Sequence, residues 1–261
     1  MKRHLKTVNI RMVIVMTICL IGLKPNACQS QAIRSSDAGF RLGYELQVGW
    51  QRMDQGVNQD DVTIYDDNGA MVSVLNLFSF SWGFESTNAY FEPIVYLGTG
   101  TGTIDNGRLI GLADAEFDQY NGFAGGGGFK SRLSLAETRI RVGVDGRLIH
   151  YQGESQFKVD NMSSLNKTYN SKTTFLEVVA VLDYNDPRFR PYIAGGFMGF
   201  FNKFEDKSNT HDTVEINSEN PFGIKGGIEF RHLLNSGLYA TIDLGYFAGG
   251  PVFALGAGYR F

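Results

Sequence analysis

Apolar residues alternate with small or charged ones along much of this chain. In RLGYELQVGW, Leu42, Tyr44, Leu46, Val48 and Trp50 fall on one side, and Arg41, Gly43, Glu45, Gln47 and Gly49 on the other. Period two sustained over a full strand length predicts a β-strand with two unlike faces. The same alternation runs through TRIRVGVDGRLIHY, where Ile140, Val142, Val144 and Leu148 oppose Arg139, Arg141, Gly143, Asp145 and Arg147. It returns in TTFLEVVAVLDY with Glu177 and Asp183, in FGIKGGIEFRH with Lys225, Glu229 and Arg231, in GLYATIDLGYF with Asp243, and in the final FALGAGYRF. Weaker patterns over about 71–84, 90–104, 119–133 and 189–203 bring the predicted count to ten strands, with eight as the alternative.

The connections add a second regularity. Long polar segments near 54–70, 105–118, 152–172 and 204–220 follow the first, third, fifth and seventh strands, whereas ESTN, LAE, NDP and LNSG follow the strands between. An antiparallel meander with these links carries its long loops at one end.

A soluble sandwich also has period-two strands, with the apolar faces buried between sheets. Here the polar faces are rich in glycine paired with Arg, Glu and Asp, and aromatic residues gather at strand ends, as with Trp50, Trp82, Phe84, Tyr184 and Phe261. Strands of about 9–11 residues cross a bilayer at a tilt, and aromatic girdles mark its two interfaces. In hydrocarbon every backbone donor and acceptor needs an internal partner, so the sheet must close. The fold predicted is all-β, a single closed antiparallel transmembrane barrel. Its inward charges, Arg41, Glu45, Arg139, Arg141, Asp145, Arg147, Glu177, Asp183, Lys225, Glu229, Arg231 and Asp243, form a network that plugs the lumen.

Composition changes one point. The stretch 1–32 has a basic start (Lys2, Arg3, Lys6, Arg11), an apolar run from Met12 to Leu23 and a small-residue site at Ser30-Gln31-Ala32. This is the layout of a cleaved signal peptide, which leaves 33–261 as the barrel domain. Removing its five basic residues takes the net charge from −3 to −8, which argues against a nucleic-acid partner. Both cysteines, Cys19 and Cys28, fall in that segment, so neither disulfides nor thiolate metal sites are expected beyond it. A lipidated Cys28 is the competing reading, and Pro25 fits a lipoprotein box poorly.

With its signal peptide, RPYIAGGFMGFF, FGIKGGIEFRH and terminal FALGAGYRF, the chain resembles the small bacterial outer-membrane barrels of the OmpA/OmpX-like group. The resemblance implies export to the outer membrane and contact with its lipid and lipopolysaccharide. It also implies recognition by the barrel-assembly machinery through Phe253, Leu255, Ala257, Tyr259 and Phe261. A structural, surface-exposed or adhesive role follows, with loops open to a host or surface ligand; a narrow pore for small solutes or ions is the alternative.

Candidate chemistry is sparse, and no enzyme, cofactor or metal is expected. His211-Asp212 and the loop acids Asp54, Asp60, Asp61, Asp66 and Asp67 resemble the rim of omptin proteases only loosely, because the two partners are adjacent within a polar loop. RLIHYQGES resembles the base segment of lipid A deacylases, but Gln152 stands where the nucleophile belongs, which leaves His150 dependent on Ser155. GGGGFKS lacks the Gly-Lys step of a phosphate loop, and Gly125–Gly128 are expected to make room in the barrel wall. The acidic loop has no EF-hand spacing for a hard cation.

Overall fold

The structure, a computed structural model, describes residues 38–53, 56–58, 63–65, 70–86, 88–109, 113–135, 138–159, 166–208, 213–234 and 236–261. The predicted signal peptide, Cys28, Asp54, Asp60, Asp61, Asp66, Asp67, His211 and Asp212 lie outside the described residues.

The strands are β1 (Gly39–Arg52), β2 (Gly56–Asn58), β3 (Thr63–Tyr65), β4 (Ala70–Glu85), β5 (Ala89–Leu109), β6 (Ala113–Ser134) and β7 (Ile140–Val159). They continue with β8 (Lys167–Tyr184), β9 (Phe189–Asp206), β10 (Thr213–Asn217), β11 (Phe222–Leu233), β12 (Leu238–Phe247) and β13 (Gly250–Arg260). Ten of them, in the order β1-β4-β5-β6-β7-β8-β9-β11-β12-β13, form a closed antiparallel ring. The ring closes where β13 returns to β1, from Arg41↔Arg260 to Gly49↔Val252. The last backbone amide, that of Phe261, donates to Phe40 O at 3.0 Å.

Both described chain ends and the short turns after β4, β6, β8 and β11 share one end of the barrel, here the turn end. The opposite, loop end is built differently from a ring of loops. The segments expected as loops near 105–118 and 152–172 are largely strand, since β5 runs to Leu109, β6 starts at Ala113, β7 runs to Val159 and β8 starts at Lys167. β2 and β3 occupy part of 54–70, and β10 part of 204–220. At this end the β12–β13 link is a tight turn, with Ala248 and Gly249 both at positive φ (47° and 72°), the geometry of a two-residue hairpin.

β9 forks between two partners. Its lower part pairs with β11, from Phe189↔Phe230 to Phe197↔Phe222, and its upper part with β10, from Phe201↔Asn217 to Glu205↔Thr213. Just past the ends of β10 and β1, Ser218 bridges Met53, and β10 pairs with β2 at Glu215↔Val57 and Val214↔Asn58. Above the fork, therefore, β11, β12 and β13 drop out and β10 replaces them. The wall narrows from a ten-stranded ring to an eight-stranded one formed by β1, β4, β5, β6, β7, β8, β9 and β10. The ten strands expected from the sequence are those of the closed ring, and the alternative of eight is not the count of the barrel.

The outside of the ten-stranded ring is apolar. Phe80, Trp82, Val95, Leu97, Val142, Leu148, Val178, Leu182, Ile193, Ile224, Ile228, Ile242, Leu244 and Leu255 are all exposed. Trp82, Phe84, Phe91, Tyr184, Phe189 and Phe261 mark the turn end of this band, and Trp50, Phe123, Phe201, Phe222 and Tyr246 its loop end. Such a surface would order water over its whole girth and is solvated instead by lipid.

Candidate functional site: the barrel lumen

The interior has two layers of opposite chemistry. Near the turn end, Asp183 accepts from Arg141 Nε at 2.8 Å and from Arg132 Nε at 2.7 Å, and Arg132 also pairs with Asp145. Beside this group, Glu229 receives Arg231 Nε at 2.6 Å and faces Arg41 and Arg190 at 3.9 and 4.0 Å. Glu92 accepts from Ser81 Oγ at 2.5 Å and from the Tyr90 hydroxyl, with Arg41 Nε at 3.7 Å. One storey higher, Arg147 reaches Glu45 at 2.5 Å, Gln47 at 2.5 Å and Glu177 at 3.0 Å, and Lys225 holds the other Glu177 oxygen. The Arg147 guanidinium also lies over the Phe175 ring, 4.9 Å from its centroid. Each carboxylate named here meets at least one cation, the arrangement that offsets the cost of removing charge from water.

Above this layer the filling turns apolar. Phe117 stacks on Phe204 with centroids 4.5 Å apart and contacts Phe157 at 4.7 Å and Tyr169 at 5.7 Å. Phe175 meets Phe200 at 4.8 Å, and Met53, Met71, Leu75, Ile104, Tyr151, Val214 and Ile216 complete a buried cluster. Eight strands enclose an interior that side chains alone can fill, so narrowing at the fork is what allows this plug. Gly100 seats its centre, since a Cβ there would stand 2.6 Å from the Tyr151 ring. Within the ionic layer a cavity remains, lined by Glu45, Gln47, Tyr96, Lys130, Arg147 and Asp243 among others.

Of the predicted inward charges, Arg41, Glu45, Arg141, Asp145, Arg147, Glu177, Asp183, Lys225, Glu229 and Arg231 stand in this network, and Asp243 lines the cavity. Arg139 does not. It precedes β7, its side chain is 59% exposed, and it pairs with Asp186 across the turn end at 3.0 Å. The alternation in the sequence runs one residue past the point where the sheet stops, at Ile140. Glu92, Arg132 and Arg190 belong to the network and were missed; a lone charge inside an apolar run, as in YFEPIVYLG, was the available signal for Glu92.

The remaining candidates fall apart or move. His150 faces outward, its Nδ1 3.1 Å from Thr174 Oγ1, whereas Ser155 is buried on the inner face of the same strand. A base and a nucleophile on opposite sides of one wall cannot exchange a proton. Gly125–Gly128 lie within β6 with strand after them, and a Cβ at Gly126 would stand 2.0 Å from Leu148 O. On β13, Phe253, Leu255, Ala257 and Tyr259 take the outer face, and the Phe261 ring packs 4.9 Å from Tyr259 and 5.6 Å from Phe40. Among the described residues no cluster of His, Cys, Asp and Glu could hold a metal ion.

No protein-family model matches the chain, and no curated protein matches it. Solved structures do. The β domain of the Bordetella autotransporter Brka covers 86% of this chain and 100% of its own, with a TM-score of 0.51 and 12% identity. The transport unit of the Escherichia coli autotransporter AIDA-I covers 96% and 97%, with a TM-score of 0.48 and 11% identity. The Pseudomonas putida toluene transporter TodX covers 87% and 90%, with a TM-score of 0.39 and 8% identity. At 12% identity the likeness to the Brka domain is one of fold. Together with the closed ten-stranded ring, its lipid-facing apolar girth and its ionic interior, it gives this chain the fold of the bacterial outer-membrane β-barrels.

Proposed function

We propose that the protein is a non-conducting barrel of the bacterial outer membrane that acts through its loop-end rim, in a structural or surface-binding role. The observation that supports this is the filling of the lumen by two stacked seals, ionic below and aromatic above. An ion entering from either end meets a paired guanidinium–carboxylate layer or a dry aromatic one. In planar bilayers the purified barrel is expected to give no reproducible conductance steps. Uniform steps at neutral pH would overturn the sealed reading in favour of a narrow pore.

Residues 1–32 serve in this reading as the cleaved export signal, and the outer face of β13 as the surface met by the assembly machinery. Deleting Phe261 removes both its ring contacts and the amide that closes the seam on Phe40. Folded, heat-modifiable protein recovered from outer membranes is expected to fall several-fold. The barrel refolded in detergent should lose far less. Equal loss in the two settings would make Phe261 a stability residue and not an assembly signal.

A further inference from the structure

The outer face of β4 is apolar on either side of one residue. Val72 and Val74 stand on its loop-end side and Phe78, Phe80 and Trp82 on its turn-end side, while Leu75 and Leu77 point into the plug. Asn76, between them, faces lipid. Its cross-strand neighbours on the same face are Leu46 on β1 and Thr99 on β5. Trp50, which marks the loop end of the lipid-facing band, lies opposite Val72, two outward rows higher. Four residues along a tilted strand set Asn76 roughly 10 Å inside that boundary.

A carboxamide at that depth needs partners, because hydrocarbon supplies neither donors nor acceptors. The Tyr44 hydroxyl donates to Asn76 Oδ1 at 3.1 Å, and the Tyr44 ring leans on Phe78 with centroids 5.3 Å apart. That bond satisfies one lone pair. Among the described residues the two Nδ2 hydrogens of Asn76 have no acceptor, and the exposed Thr99 hydroxyl beside them has no partner either. Acyl chains can cover this spot but cannot satisfy it.

The group that can is a second carboxamide. Two amides placed head to tail form a reciprocal pair, each Nδ2 donating to the other's Oδ1 through the lone pair that Tyr44 leaves open. Two copies inserted in the same direction are related by a twofold axis along the membrane normal, so a residue beside that axis meets its own copy at the same depth. A self-complementary side chain inside the lipid-facing band meets both conditions.

We propose that the outer wall of β1, β4 and β5 is the contact face of a homodimer, held by reciprocal pairing of Asn76 across the twofold axis with Thr99 beside it. This contact presupposes the outer-membrane reading above and names a second copy of the chain as the partner of one wall.

On that reading the mature chain carries no cysteine, so a single introduced thiol reports what it touches. Thr99→Cys, oxidised in outer membranes, is expected to give a disulfide-linked species of twice the monomer mass. Ile224→Cys, at a position 63% exposed on β11 across the ring, should give little. Adding Asn76→Leu to Thr99→Cys should lower the dimer yield several-fold. The cysteine-free protein is also sedimented in mild detergent, where wild type should be dimeric and Asn76→Leu monomeric. Leucine suits a lipid-facing position, and heat-modifiable migration checks that the variant is folded.

Equal yields from Thr99→Cys and Ile224→Cys would mean chance collision, and an unchanged yield with Asn76→Leu a contact that does not use the carboxamide; either would overturn the proposal. So would a wild type that sediments as a monomer while Thr99→Cys gives no cross-link, or a cross-link to a protein of another mass. A wild type with no heat-modifiable form at all would overturn the barrel reading itself, a different and separately visible failure.

Discussion

Glu177→Ala is expected to lower the stability of the folded barrel by about 3–5 kcal/mol, the usual cost of removing one partner from a buried ionic group. Glu177 is 3% exposed and holds Arg147 with one oxygen and Lys225 with the other. Its loss leaves two neighbouring cations in the lumen facing one another, with Glu45 as the remaining carboxylate on Arg147. Urea unfolding in detergent, followed by tryptophan fluorescence, would measure the change. Glu177→Gln keeps hydrogen-bonding atoms and should cost less than Glu177→Ala. Adding Lys225→Met to Glu177→Ala should recover part of the loss, because the stranded charge is then removed as well. If Glu177→Ala unfolds at the wild-type urea concentration, the lumen is wet enough to screen these charges and the lower seal is not a dry one.

Phe204→Ala should cost about 3–5 kcal/mol as well, through cavity formation. The ring is 1% exposed and is stacked on Phe117 inside the eight-stranded section. Phe201, three residues away on the outer face, is 41% exposed, and Phe201→Ala should cost far less in detergent. The Phe204 variant should also become protease-sensitive near the loop end before its lower strands are attacked, since the damage lies above the fork. Matching effects of the two substitutions would mean that the upper section is not packed as a core.

The stretches read most securely from the sequence are those that lie in the ten-stranded ring. β11, β12 and β13 oppose lipid on one side and an ionic lumen on the other, so every second residue changes character. β4 and β9 were blurred because their upper inner faces are apolar too. Leu75, Leu77, Phe200 and Phe204 point into the plug while Val74, Phe78 and Phe201 point out, and alternation fades when both sides are dry.

The expected loop segments near 105–118 and 152–172 are largely strand for the converse reason. Above the membrane the outer face is polar, as at Gln152 and Glu154, while Tyr151 and Phe157 face inward. The period survived there with its sense reversed. In β6 the register shifts between Gln119 and Phe123, which puts Phe117 inside on an odd number and Ala124 inside on an even one. A bulge of that kind leaves no mark in a single sequence. The site followed the same divide: charges on the secure strands were placed, and Glu92 and Arg132, on blurred ones, were not.

The two rings described above are also two long-range closures, Arg41↔Arg260 in one and Met53↔Ser218 in the other. Every other pairing in the ten-stranded ring joins strands that follow one another or are separated only by β2 and β3, or by β10. Loop-closure entropy grows only as the logarithm of length, so either contact is comparably hard to make first. Both lie on β1 and its immediate continuation. Once one has formed, the other joins segments already held together, and the entropic cost of bringing distant chain ends together is incurred once for two rings. Cooperative assembly is therefore written into a single strand: whichever seam shuts first delivers the edge on which the second can zip.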